Sequence, residues 1–503
     1  FSPLLTGGDA FSLVVNSGKN RGLVKEVEIV GSCEGSMSKN DDGTEKQNFA
    51  EPTLIVPNPL LDGTDRVTNL LNITTNGRPV TISGFAFSNT HEYTGADDDK
   101  GGRGVTASIN NDGSDQKASL TLKNCAFRDN LGTGLNITAN DGRLLVYNAL
   151  FADGKANGMD TRGTTTVVNA TFAQNKGYDY TAADSKTKVY NSVSWQNGTS
   201  SALHTLQTDA ASCNTAFAWD TPNDDVLNGP NFSSPSTGDY SLRPSLSLFN
   251  TGDTALYVKH VFGIDDEPLP VKNYMSKERD IVNQTRVTGG NIDRGAYECS
   301  SKLLPIIYVK TGTTTIGSGE SWTSPIGNLQ NAVNLAELYA NVDNAHVSKS
   351  AYVFVDKAVA ASDVAVSLPG VKVYGTMDNE TSTAGGDTKP EDYSKEQVAN
   401  IVADLLAKRK GTIEQTTQSR INGLTIDYTP GDGTTDRSAD PCVVDGFVVD
   451  GDVALNRGYL STSVLAATSR LTGSVVNGIA EGVLYNSLAL GKVEGVRSVN
   501  VTA

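Results

Sequence analysis

The chain has 503 residues, more than one compact core usually holds, so it implies two or more domains or a repeat array. Hydrophobic residues make up 38% and charged residues 19%, which excludes a chain too polar to fold. A net charge of -16 and a pI near 4.8 exclude nucleic acid and anionic membranes as partners and favour cations or basic surfaces.

Fifty glycines and an abundance of Asn, Thr, Ser, Asp and Val favour short strands and many turns. Cys33, Cys125, Cys213, Cys299 and Cys442 form no CxxC pair, and their odd number argues against a complete disulfide framework. Cys125 lies in an apolar strand and reads as a buried free thiol. No run has transmembrane length, and no signal peptide precedes Phe1, as expected of a mature or trimmed product.

Along the first half, one pattern recurs in five segments: Val80-Thr-Ile-Ser-Gly-Phe-Ala-Phe87, Leu120-Thr-Leu-Lys-Asn-Cys-Ala-Phe127, Leu144-Leu-Val-Tyr-Asn-Ala-Leu-Phe151, Thr165-Thr-Val-Val-Asn-Ala-Thr-Phe172 and Lys188-Val-Tyr-Asn-Ser-Val-Ser-Trp195. Each holds an anchor, Gly84, Asn124, Asn148, Asn169 or Asn191, at intervals of 40, 24, 21 and 22. Such a period is that of one coil of a parallel β-helix, with three short strands and three turns. Positions two before and one after the anchor are both mostly apolar. Strict alternation would put them on opposite faces, so the chain must bend at the anchor. Asn and Gly tolerate the left-handed backbone this needs. The expectation is an all-β chain, a right-handed parallel β-helix (solenoid) in two tandem modules with small helical insertions. Asn124, Asn148, Asn169 and Asn191 should form a ladder, each amide bonding the next coil. Phe87, Phe127, Phe151 and Phe172 should fill the core. The long interval after Gly84 carries Asp97, Asp98 and Asp99. It reads as a Ca²⁺ or partner site or, more simply, as a solvated acidic loop.

Module one spans 1–300 without an opening segment, and module two spans 301–503, stopping in mid-coil. Both ends read as cuts through a longer array. In the second module, Leu329, Ala332, Val333 and Ala336 predict an amphipathic helix that covers open strand edges. Val371-Lys-Val-Tyr-Gly375 repeats Val27-Glu-Ile-Val-Gly31, and Cys442–Val449 repeats Val80–Phe87. A helix is predicted over Lys395–Lys408, with a Ser394/Gln397 capping box and an apolar face of Val398, Ile401, Val402, Leu405 and Leu406. It should pack on its own module. Further coils are expected at Gly473 and Asn486.

Three elements carry a resemblance. They are Ile307-Tyr-Val-Lys310 with Gly319-Glu-Ser-Trp322 and Leu329-Gln-Asn-Ala332; Val371–Gly375 with Asn379-Glu-Thr381; and the close, Asp239-Tyr-Ser-Leu-Arg-Pro244, Asn250-Thr-Gly-Asp253 and Gly290-Asn-Ile-Asp-Arg-Gly-Ala-Tyr-Glu298. They resemble the tandem β-helix surface proteins of Bacteroidetes, related to the polymorphic outer-membrane repeat proteins. The resemblance implies export to the bacterial cell surface, as a surface-layer subunit or adhesin stalk. Arg294 departs from the apolar slot of the closing motif.

Parallel β-helices also carry polysaccharide lyases and hydrolases, which need paired carboxylates or a base with a cation. The nearest candidates are Asp129, Asp153 and Asp160 with Arg128 and Arg162. Asp129 and Asp153 both follow their anchors by five, a slot that continues as Gln174 and Gln196, so they also read as a polar turn ladder. His91, His204, His260 and His346 are scattered, and no Gly-His-Gly element occurs. The reading is therefore non-enzymatic, with neighbouring copies, other surface proteins or glycans as partners. Trp195 and Trp219 are sugar-stacking candidates if exposed. Asp253-Thr254-Ala255 resembles the Bacteroidetes O-glycosylation motif, with Thr254 as acceptor.

Overall fold

A computed structural model describes residues 11–16, 26–31, 37–39, 45–47, 53–55, 69–90, 102–111, 118–184, 186–195, 215–217, 229–243, 245, 247–249, 251–264, 275, 278–286, 292–299, 305–311, 319, 321–323, 325–341, 350–377, 395–409, 418–427, 441–476 and 479–502. The described residues are mostly β, with 52% in strands and 12% helical, and their sheets are chiefly parallel. Two compact units form. One comprises Phe1–Thr221, Phe232–Leu242 and Ser247–Cys299, the other Pro222–Asn231, Arg243–Leu246 and Ser300–Ala503.

In the first unit, three parallel ladders run side by side. Pro79–Ser83 pairs with Ser119–Lys123, which pairs with 143–147, which pairs with 164–168 and then Thr187–Tyr190. After each anchor a second ladder follows: Phe85–Phe87, Ala126–Arg128, 150–152, 171–173 and Ser192–Trp195. A third joins Asn69–Asn76, Arg103–Asn110, 135–138 and 159–162. Leu135–Ala152 is one unbroken strand that serves all three.

The anchors fall in one register. Asn124, Asn148, Asn169 and Asn191 have φ of +51°, +51°, +53° and +48°. Each is at most 1% exposed. The backbone N–H of Asn124 donates to Tyr147 O at 3.1 Å, and that of Gly84 does the same to Lys123 O. Beyond the turn the phenylalanines stack. Ring centroids are 5.5 Å apart for Phe87–Phe127, 4.8 Å for Phe127–Phe151 and 4.8 Å for Phe151–Phe172, with planes within 20°. All four rings are buried.

The anchor amides, however, do not bond one another as expected. Asn148 Nδ2 donates to Arg279 O at 2.9 Å and Tyr257 Oη at 3.0 Å. Asn169 Nδ2 donates to Asp293 O at 2.7 Å and Gly295 O at 3.1 Å. Asn191 exchanges two bonds with the Asp253 backbone. Asp253, Tyr257, Arg279, Asp293 and Gly295 of the closing segment thus lie on the ladder and take its donors. Backbone carbonyls of that segment need partners once buried, and the amides supply them. Gly295, at φ +95°, fits only as glycine, since a Cβ there would come within 2.7 Å of Thr171 Oγ1. Arg286, wholly buried, donates to Gly295 O at 2.6 Å and lies 3.9 Å from the Glu298 carboxylate. Arg294 donates to Thr251 O at 3.1 Å.

The closing segment carries α1, Thr254–Phe262, capped by Asp253 accepting from Leu256 N at 3.0 Å. The second unit holds α2, Leu329–Asn341, and α3, Lys395–Lys408. The strand Ala360–Val366 is the edge of its sheet. Helix α2 meets it with side chains: Gln330 accepts from Ala365 N at 2.7 Å, and Glu337 accepts from Ser367 N at 2.6 Å. Val398, Val402 and Leu405 of α3 pack on Tyr308, Phe354 and Met377 of the same unit.

One expected anchor is corrected. Gly446 N donates to Ser461 O, Thr462 N to Tyr485 O and Asn486 N to Val499 O, all at 3.0 Å. These repeat the anchor bonds of the first unit, so the series runs Gly446, Thr462, Asn486, with Thr462 at φ +47°. Gly473 instead follows Arg470–Thr472, a strand of the other sheet.

Phe151→Ala is expected to lose about 3–5 kcal/mol by chemical denaturation, because two stacking faces and a filled volume vanish together. Asn148→Ala should lose about 1–3 kcal/mol through the orphaned Arg279 carbonyl and added left-handed strain. Asn148→Gly, which relieves the strain alone, should recover part of that loss.

Candidate functional site

The second ladder ends in another left-handed turn. Asp129, Asp153 and Gln174 have φ of +53°, +59° and +53°. Their N–H groups donate to Ala152 O, Ala173 O and Trp195 O at 3.0–3.1 Å, so the three residues stack one layer apart, about 4.8 Å in a parallel sheet. Asp is admitted here for the same reason as Asn at the anchors. Gln196, next in the sequence series, lies outside the described residues.

Asp239–Leu242 brings Tyr240 onto this row. Its hydroxyl is 2.7 Å from Asp153 Oδ1 and 2.9 Å from Gln174 Oε1. One hydroxyl proton cannot serve both acceptors. Burial raises the Asp153 carboxyl above its ordinary range, the Tyr240 hydrogen bond opposes this, and the neighbouring Asp129 charge adds to it. The Tyr240 hydroxyl is thus shared between the Asp153 and Gln174 side chains. Burial and the Asp153 contact also push the Tyr240 hydroxyl well above its ordinary value.

Beside this row is a cleft of about 620 Å³, bounded by Arg128, Asp129, Asp153, Gln174, Lys155, Lys176 and the turn 235–238. Arg128 Nη2 donates to Gly238 O at 2.9 Å and holds that turn as a wall. Gly238 has φ +77°, and a Cβ on it would collide with Arg128 Nη2. Lys155 N and Lys176 N donate to Asn130 O and Gly154 O at 2.8 Å, so the two lysines also sit one layer apart.

Of the carboxylate candidates, the structure brings together Asp129 and Asp153 with Arg128. Asp160 lies in the third ladder, accepting from Thr133 Oγ1 at 2.7 Å and Asn157 Nδ2 at 2.8 Å. Arg162 is exposed there, two residues further on. Lys155, Lys176 and Tyr240 were not singled out from the sequence. The lysines had a signal, for both follow their anchors by seven. Tyr240 stood in the closing element Asp239–Pro244, but nothing in the sequence placed it beside Asp153, 87 residues away.

Asp97, Asp98 and Asp99 lie outside the described residues, as do Trp219, His91, His204 and His346. Among the described residues, no three His, Cys, Asp or Glu side chains are placed to hold a metal ion. Trp195 is buried, edge-on to Phe232. His260 stacks on Tyr190 at 4.1 Å. Thr254 opens α1 half-buried, and its Oγ1 accepts from Ile292 N at 3.3 Å. Asn124, Asn148, Asn169 and Asn191 are interior, and their left-handed turns are made by the fold rather than by a ligand.

A second titratable group is sealed in the same unit. Asp179 is 2% exposed and accepts a hydrogen bond from the Ser194 hydroxyl. Burial pushes its carboxyl up to about 8, while the Ser194 bond pulls it down. In the unfolded chain it titrates near 4. The folded protein therefore keeps a proton that the unfolded chain gives up, and the stability from Asp179 is complete below about pH 4 and is lost as pH rises to about 8. Thermal melts should show Asp179→Asn gaining on the unsubstituted chain between pH 5 and pH 8. A constant difference across that window would contradict this placement of the proton.

No family model matches this chain, and no curated protein or solved structure matches it either.

Proposed function

We propose that the chain is a non-enzymatic scaffold of the extracellular bacterial surface, its two units being right-handed parallel β-helices. The observation that carries this reading is the fate of the recurrent polar residues. Asn148, Asn169 and Asn191 are roofed by the closing segment and hydrogen-bonded to its backbone. Asp153 and Gln174 are braced by Tyr240. Repetition of a side chain at each layer is explained by turn geometry and by the bonds the amide nitrogens make, without a reaction. Parallel pairing of strands 21 to 24 residues apart supports the helical winding, and right-handed crossover is the general rule for such connections. A surface-layer subunit or adhesin stalk would use the lateral faces of such units for neighbouring copies or other surface proteins. No helix among the described residues is long and apolar enough to cross a membrane.

The alternative, a lyase or hydrolase, centres on Asp129 and Asp153. Purified protein incubated with pectate, alginate and hyaluronan, with and without calcium, should release no new reducing or unsaturated ends. Turnover abolished by Asp129→Ala or Asp153→Ala would replace the scaffold with an enzyme.

A further inference from the structure

The cleft beside the Asp129, Asp153 and Gln174 row has features that turn geometry does not require. Lys155 and Lys176 are exposed, and among the described residues neither lies within ion-pair distance of a carboxylate. They repeat across one layer, so two ammonium groups border the same opening. On a chain of net charge -16, such a pair with Arg128 is a local reversal of sign. The same lining offers acceptors, the carboxyl groups of Asp129 and Asp153, the latter feeling the Lys155 charge. The wall is fixed in advance by the Arg128–Gly238 bond. A volume of about 620 Å³ falls within the usual range of small-ligand sites.

We infer that this cleft binds a sparsely charged acidic oligosaccharide, with a sugar carboxylate between Lys155 and Lys176 and sugar hydroxyls donating to Asp129 and Asp153. The assignment rests on the scaffold reading, in that the bound glycan is held and not cleaved. Other ligand classes fit less well. Among the described residues, Pro235 is the one apolar side chain on the lining and no aromatic ring borders it, so an apolar or stacking ligand finds no platform there. Three cationic side chains disfavour a metal ion. A densely charged polyanion or acidic peptide would set further carboxylates against Asp129 and Asp153 and against the overall negative field. A sugar chain with occasional carboxylates supplies one anion for the lysines and several hydroxyl donors for the acceptors.

The test is titration calorimetry of the whole chain with three probes: xylotriose bearing one glucuronate, unsubstituted xylotriose and hexaglutamate. The acidic sugar should bind saturably. Loss of its carboxylate should weaken binding by at least about tenfold, and so should the double substitution Lys155→Ala with Lys176→Ala. Both lysines are exposed, so the melting temperature should be unchanged. The inference is overturned by the absence of saturable heat with the acidic sugar, by equal binding of hexaglutamate, or by undiminished binding in the double variant. New reducing ends in the same mixtures, with binding intact, would remove the non-enzymatic reading while leaving the site in place.

Discussion

The first unit depends on a left-handed turn with a buried amide. At each anchor the backbone must leave one ladder and enter the next within a single residue. The Asn conformation near φ +50° achieves this, yet it turns a polar side chain into a place water does not reach. A buried amide without partners is costly. The closing segment meets this cost at the amide nitrogens, whose donors its carbonyls accept, while Oδ1 of Asn148 and of Asn169 has no partner among the described residues. Arg279, Asp293, Gly295 and Asp253 meet Asn148, Asn169 and Asn191 in turn. From Asn148 to Asn191, ladder and closing segment are therefore one hydrogen-bonded system.

The same constraint produces the cleft. The second left-handed turn, five residues after each anchor, places Asp129, Asp153 and Gln174 in register. The turn after that places Lys155 and Lys176. Stacking makes neighbours of residues 21 to 24 apart, so like charges and like acceptors line up in rows. Rows of acceptors beside rows of donors form a polar groove without any local motif for one. The turn 235–238, held by Arg128, gives that groove a wall, and Tyr240 braces Asp153 and Gln174.

The second unit meets its strand edges differently. Helix α2 pins the free edge of Ala360–Val366 with Gln330 and Glu337 side chains, which mimic a neighbouring strand's acceptor and donor groups. Helix α3 covers an aromatic patch around Tyr308 and Phe354. Its anchors are less uniform, Gly446, Thr462 and Asn486, and the intervals of 16 and 24 follow no single period.

The sequence by itself determined what depends on local periodicity: the anchor positions of the first unit, the column of phenylalanines, and the helices at Leu329 and Lys395–Lys408. Apolar spacing decides which side chains face inward, and Asn or Gly marks where the backbone can turn left-handed. Only the tertiary structure decided where the anchor amides donate, because their partners lie 62 to 131 residues away on a returning segment. It also decided that Thr462, and not Gly473, continues the second series. A β-branched residue at positive φ is disfavoured by its own sterics, so nothing local nominates it, and parallel hydrogen bonds on both sides hold it there. Asp129 and Asp153 were legible as a stacked pair from their common offset. Their enclosure by Tyr240, and the cleft they share with Lys155 and Lys176, follow from how a distant strand packs back, which pairwise spacing in the chain does not encode.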